Sequence, residues 1–267
     1  MQAPYFRVKI KKGLFPMAEA ISERQVGRRL DIQRIFSTLF RPRQAFEIVK
    51  TEARSSWLTP MLILSLVALL VVLVSGYLRT QAAMLGEVTF PPGWEYWTPD
   101  MQNNYMQAQQ LNQGAVVMYV FPLVSAWARL WVGWVVLGGL LHLGSTLLGG
   151  RGSMQSALNI TAWAFLPFAL RDILRIIYML IEQHAITSPG LSGFGTSAFM
   201  VEILSRTDIF LVWSIVLLII GFAVVDGLTR GKAILGVLLV MLIILSAQAG
   251  LGTMLANLGG ADSQRPF

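Results

Sequence analysis

Nothing constrains this chain more than its charge-free apolar runs. From Trp57 to Leu78 no residue is charged. The run has the roughly 20 residues a helix needs to cross the ~30 Å hydrocarbon core of a bilayer. In lipid the backbone must satisfy its own hydrogen bonds, so such a run reads as a transmembrane helix. Four more apolar stretches follow: Ala115 to Leu148, Gln155 to Ile181, Ile209 to Val225, and Ala233 to about Leu255. Pro60 falls in the first turn of the first stretch, where proline costs little. Only 13% of residues are charged, against about 25% in soluble domains. The expected fold is all-α: a polytopic integral membrane protein with five transmembrane helices preceded by an amphipathic interfacial helix.

The second and third stretches meet at Gly149-Gly150-Arg151-Gly152-Ser153. Gly149, Gly150 and Gly152 are read as accepting the positive φ a tight reversal needs. Arg151 places that turn in water or among headgroups. Arg129 and Asp172 lie at nearly equal sequence distances either side of Arg151, which puts both about 30 Å from the turn along their helices. They are expected to pair near the far side of the membrane, with Arg171 and Arg175 reaching toward headgroups. The alternative is an anion or lipid-headgroup site, because these three arginines outnumber Asp172.

Pro122 is expected to divide the second stretch. Trp127, Trp131 and Trp134 share a helix face and read as a packing or lipid-interface stripe. The third stretch holds Asn159, Thr161 and Pro167, so it should face protein and lie centrally, kinked at Pro167. Asn159 and Thr161 read as interhelical hydrogen-bonding groups. His142 reads as hydrogen-bonded to a neighbouring helix, with a proton relay as the alternative. Asp226 is expected to cap the inner turn or pair with Arg230.

Residues 1–56 form a basic N-terminal region that begins with a mobile tail of about two dozen residues. Beyond it, Ile32, Ile35, Phe36, Leu39 and Phe40 recur at helical spacing. Pro42 then opens a second short helix with Ala45, Phe46 and Val49 on one face. Arg34, Arg41, Arg43 and Lys50 are assigned to the polar side. This stretch either lies on the inner leaflet, drawn to anionic lipid by about 1 kcal/mol per basic residue, or packs against the membrane domain of residues 57–256. Basic residues gather in 1–56 and in the turns 149–154 and 226–232. They are sparse in the loops 79–114 and 182–208 and in the tail 257–267. That bias predicts a cytoplasmic N-terminus and an outer C-terminus. Trp94, Tyr96 and Trp97 suit an outer aromatic belt.

The chain has no cysteine and two histidines, so thiolate chemistry is excluded and no metal centre is expected. The net charge of +7 is read as an orientation signal rather than as nucleic-acid binding. No P-loop, HExxH, GxSxG or carboxylate cluster is present, and neither enzymatic activity nor a cofactor is expected.

Four motifs in order resemble the Yip family of Rab-GTPase-interacting membrane proteins, whose domain also occurs in bacteria. Phe40-Arg41-Pro42-Arg43-Gln44-Ala45-Phe46 followed by Trp57-Leu58-Thr59-Pro60 is similar to the stretch that opens its first span. Leu141-His142-Leu143 leading to Leu148-Gly149-Gly150-Arg151-Gly152-Ser153 is similar to its inner turn. Ala162-Trp163-Ala164-Phe165-Leu166-Pro167 resembles its third span, and Trp213 to Gly221 with Gly227 to Ala233 its closing pair. The acidic, tyrosine-containing N-terminal signature of eukaryotic members is absent, so the resemblance is to the prokaryotic branch and does not carry Rab binding. It implies no enzymatic activity and a scaffold or accessory factor for a membrane complex such as an ABC transporter, while the missing signature and the charge bias favour a bacterial plasma membrane. The alternative is a small transporter or permease subunit whose polar third helix lines a path.

Overall fold

The computed structural model describes residues 31–51, 55–85, 90, 93–112, 114–186 and 190–258, without the side chains of 109–112 and 255–258. The expected N-terminal tail and most of the C-terminal tail lie outside the described residues. Among these the fold is all-helical, with no strand. In chain order come α1 (Gln33–Phe40), α2 (Pro42–Thr51) and α3 (Leu58–Met84). A 3-10 turn (Trp94–Tyr96) and α4 (Pro99–Asn112) follow. A π-turn (Val116–Val120) runs into α5 (Phe121–Leu147). Then come α6 (Met154–Ala164), α7 (Leu166–Glu182), a short 3-10 turn (Ser192–Phe194) and α8 (Ala198–Arg206). The fold closes with α9 (Ile209–Val225) and α10 (Arg230–Leu258).

Among the described residues three helices are long and apolar enough to cross a membrane: Leu58–Met84, Val116–Leu147 and Arg230–Met254. A fourth span arises if α8 and α9, bent by 63° at their junction, are taken together. Prolines explain two departures from a set of five straight rods. Pro167 lacks the N–H that would continue the ladder, and the third stretch breaks at Phe165 into α6 and α7. Pro122 does not divide the second stretch. The wider π-turn just before it takes up the misfit, and the helix runs on from Val116 to Leu147.

Both expected loops contain helix. In the first, Thr98 Oγ1 accepts from Met101 N at 3.4 Å, Pro99 opens α4, and Asp100 lies in its first turn. In the second, Ser197 Oγ accepts from Met200 N at 3.3 Å and caps α8. These are ordinary helix starts in segments whose polar or Gly/Ser-rich composition hides them.

The third stretch is central, as its polarity requires. Asn159 to Ala164 are all buried. α6 packs against α5 and α9, and α2 also touches it. The approach to α9 is close because Gly221 has no Cβ to strike Ile160, the small-residue device of membrane helix packing. α2 buries Ala45, Phe46 and Val49 and packs chiefly on α9. Packing against the membrane domain is therefore realised for α2. The tryptophan stripe is also a packing device. Trp127 and Trp131 donate to Ser65 O and Oγ at 3.1 and 3.2 Å, and Trp134 donates to Leu158 O at 2.9 Å.

Candidate functional site

The polar groups inside this apolar fold gather in three places. The first is a hub on α6. Asn159 Oδ1 accepts from the backbone N–H groups of Ser56 and Trp57 at 3.1 and 3.2 Å, where α3 begins. Two donors that α3 cannot satisfy within itself thus find an acceptor. Trp163 Nε1 donates to Ser56 Oγ at 3.1 Å. Arg34 was expected on the polar surface, but it is only 5% exposed. Its guanidinium lies over the Trp163 ring, 5.2 Å from the centroid, and pairs with Asp31 at 3.1 Å. An indole face and a carboxylate together make its burial tolerable. Asp31 N in turn donates to Thr59 Oγ1 at 2.9 Å. Thr161 bonds its own helix at Ala157 O rather than a neighbour.

The second place is an ion network on α7 and the start of α9. Arg171 Nε and Arg175 Nη1 reach Asp172 Oδ1 at 2.9 and 3.4 Å, and Arg171 Nη1 reaches Asp208 Oδ2 at 3.4 Å. Asp208 Oδ1 also accepts from Leu211 N at 2.8 Å, capping α9. The expected Arg129–Asp172 pair does not form. Arg129 is exposed and its Nε donates to Ser125 O of its own helix. Similar height does not make two residues neighbours: α7 packs chiefly on α3 and α9, whereas α5 packs on α6, α10 and α3. With Asp208 included, two arginines face two carboxylates, so the surplus of positive charge is gone. The available signal was local: Thr207-Asp208 directly before the apolar run at Ile209 is an N-cap pattern.

The third place joins the two turns at the opposite end. Arg151 N donates to Asp226 O at 3.1 Å, and Lys232 Nζ donates to Leu148 O at 2.8 Å. Asp226 is 4% exposed. Its Oδ2 accepts from Ser145 Oγ, while its Oδ1 has no partner among the described residues. It caps α9 but does not pair with Arg230. Burial raises its pKa, against the lowering effects of the Ser145 hydroxyl and of nearby His142. His142 Nδ1 is buried without a partner among the described residues, so the expected bond to a neighbouring helix is not made through that atom. Only Gly149 of the three glycines adopts positive φ, +90°. Gly150 and Gly152 are needed for space: a Cβ at either would collide with Ser145 or with the Asp226 carboxylate.

Arg41, Arg43 and Lys50 are exposed, as expected, and Arg43 approaches Glu47 at 3.7 Å. Among the described residues no three His, Asp or Glu side chains gather as a metal-binding group.

The membrane-length helices, the joined turns and the broken central stretch are made of residues that also match a known family. The Yip1 domain matches residues 36–251. The chain belongs to the Yip1 domain family. The match begins inside α1 and ends within α10, so it takes in the ion network, the joined turns and the hub apart from Asp31 and Arg34. No curated protein and no solved structure matches the chain. As a Yip1-domain protein with several membrane-length apolar helices, it is a membrane protein.

Proposed function

We propose that this Yip1-domain protein is a non-enzymatic, five-span scaffold or accessory factor for a membrane complex, with an ABC-type exporter as the partner class. In this reading α6 and α7 form one span broken at Phe165, and α9 forms another. The basic N-terminal region and both turns face the cytoplasm, the C-terminus lies outside, and the membrane is the plasma membrane. Arg41, Arg43 and Lys50 face anionic lipid of the inner leaflet.

One observation carries the choice of scaffold. The polar groups of the third stretch are used up in holding the protein together: Asn159 by two backbone donors, and Arg171, Asp172 and Arg175 by one another and Asp208. A transporter built on this stretch would turn such groups toward water, and Asn159 is buried instead. Affinity purification from native membranes in mild detergent, with crosslinking and mass spectrometry, tests the reading. Exporter subunits crosslinked to residues 31–51 or to the outer segments are the expected result. Recovery of the protein only as its own oligomer would overturn the accessory role.

A further inference from the structure

The segment between α3 and α5 carries aromatic side chains that the helix bundle does not use. Trp94 is the centre of a ring cluster. Phe90 lies 4.7 Å from it, Tyr105 5.4 Å and Trp97 5.5 Å, centroid to centroid, and Trp97 meets Tyr105 at 5.7 Å. Gln102 Nε2 donates to Trp94 O at 3.0 Å and ties the 3-10 turn to α4. Among the described residues α4 packs closely on none of the other helices. A helix of 14 residues is marginal by itself in water, so the rings hold this unit together.

One side of the cluster is concave. Phe90, Gly93, Trp94, Glu95 and Tyr96 line a pocket of about 400 Å³, within the range of roughly 300–1,000 Å³ for small-molecule sites. Gly93 turns the chain at φ +79°, and nothing lies within 4 Å of where its Cβ would stand. Trp94 is half-buried and braced by three rings, so its wall of the pocket is set before any ligand arrives. Tyr96 is 90% exposed, so packing does not explain an aromatic side chain there.

The charge around the pocket is one-sided. Residues 93–112 contain Glu95 and Asp100 and no lysine or arginine, in a chain of net charge +7. An interfacial aromatic belt needs rings, but a carboxylate adds nothing to it. Ring faces and a carboxylate together suit one ligand chemistry. The negative face of an aromatic ring attracts a cation, and the carboxylate supplies the opposite charge. Apolar walls favour a cation that carries carbon over a hydrated metal ion. We propose that this pocket binds an organic ammonium group, with Phe90, Trp94 and Tyr96 as its aromatic walls and Glu95 as its counter-charge. In the membrane placement proposed above, the pocket lies on the outer side, where the ammonium belongs to an ethanolamine headgroup or to a soluble amine. The binding chemistry itself depends neither on that placement nor on the partner.

The full-length protein in detergent is titrated by calorimetry with choline chloride, and with potassium chloride as the blank. Choline should give a saturable heat and potassium should not. Tyr96→Ala/Glu95→Gln should weaken choline binding about tenfold, while Tyr96→Phe, which keeps the ring face, should bind like the parent. Both side chains are exposed, so the melting temperature of the double variant should match the parent's. No saturable choline heat, or equal affinity in the parent and the double variant, would overturn the site. Native mass spectrometry with phosphatidylethanolamine and phosphatidylglycerol then separates the two sources. Phosphatidylethanolamine that is retained by the parent, lost by the double variant and displaced by choline assigns the headgroup. Choline binding without such retention assigns a soluble amine. Retention that falls equally for both lipids in the double variant would overturn recognition of the ammonium, which phosphatidylglycerol lacks.

Discussion

α9 has an aspartate at each end, and the two are held in opposite ways. Asp208 occupies the N-cap in extended backbone, accepts from Leu211 N and faces Arg171. A carboxylate there meets unsatisfied N–H groups and the positive end of the helix dipole. Asp226 occupies the C-cap, where the dipole opposes its charge. It is more deeply buried, has one hydroxyl donor, and lacks an ion-pair partner among the described residues. One end of α9 is secured by charge that the fold favours. The other is secured by shape and hydrogen bonds around a charge the fold tolerates. The same residue type therefore stabilises at one end and strains at the other.

The largest effect should come from the favoured end. Asp208→Ala removes a cap and leaves Arg171 short of one carboxylate, and it should cost about 2–4 kcal/mol. Asp208→Asn keeps a capping oxygen and should cost less. Unfolding in mild detergent measures both. Arg171→Gln added to Asp208→Ala should cost less than the sum of the single changes, because the two residues share an interaction. A loss below about 0.5 kcal/mol for Asp208→Ala, the level of an ordinary surface change, would erase the contrast.

At the other end the constraint is room. Gly152 does not adopt positive φ, so Gly152→Ala meets no backbone strain. Its new Cβ instead strikes the Asp226 carboxylate. The expected loss is about 1–3 kcal/mol. Part of it should return when Asp226→Ala clears the space in the double variant. Gly133→Ala is the control, since nothing lies within 4 Å of a Cβ there and alanine is the better helix former. Losses that simply add in the double variant would show that the two turns are not locked through this contact.

The sequence made these ends unequally legible. α3, the Val116–Leu147 helix, α10 and the central burial of the third stretch follow from apolar length and from where polar residues cannot face lipid. α4 and α8 do not, because composition points to loop there and only the cap residues Thr98 and Ser197 mark helix starts. Residue counting placed Arg129 and Asp172 at one height, but it carries no information about which way a side chain faces. Arg34 shows the same limit. Its charge assigned it to a surface, while the Trp163 face and Asp31 that accept it are brought in by tertiary contact and local geometry. Asp226 was visible as a turn residue, but its closure by Ser145, far away in sequence, was not.

Asp226 also sets a pH test with a definite sign. Burial raises its folded pKa above the ordinary carboxylate value of 3.8. As pH rises above about 4 the unfolded carboxylate loses its proton first, so the native state binds more protons and stability falls through that window. It levels off once pH exceeds the folded pKa. Asp226→Asn keeps an acceptor for Ser145 and removes this titration. Its melting temperature relative to the parent should therefore rise from pH 4 toward neutrality. A gap that stays constant, or shrinks as pH rises, would mean that Asp226 is not strained as a charge.

The smallest effect is expected at Arg129, and it completes the contrast. Asp172 already receives Arg171 and Arg175, and Arg129 touches only Ser125 O of its own helix from an exposed position. Arg129→Gln should change stability by no more than about 0.5 kcal/mol. Asp172→Asn should cost more, because it weakens the acceptor shared by two arginines. The double variant should then lose the sum of the two. A double variant clearly more stable than that sum would mean that Arg129 reaches the network in the bilayer, and the Asp208 end of α9 would belong to a three-arginine cluster with a net positive charge.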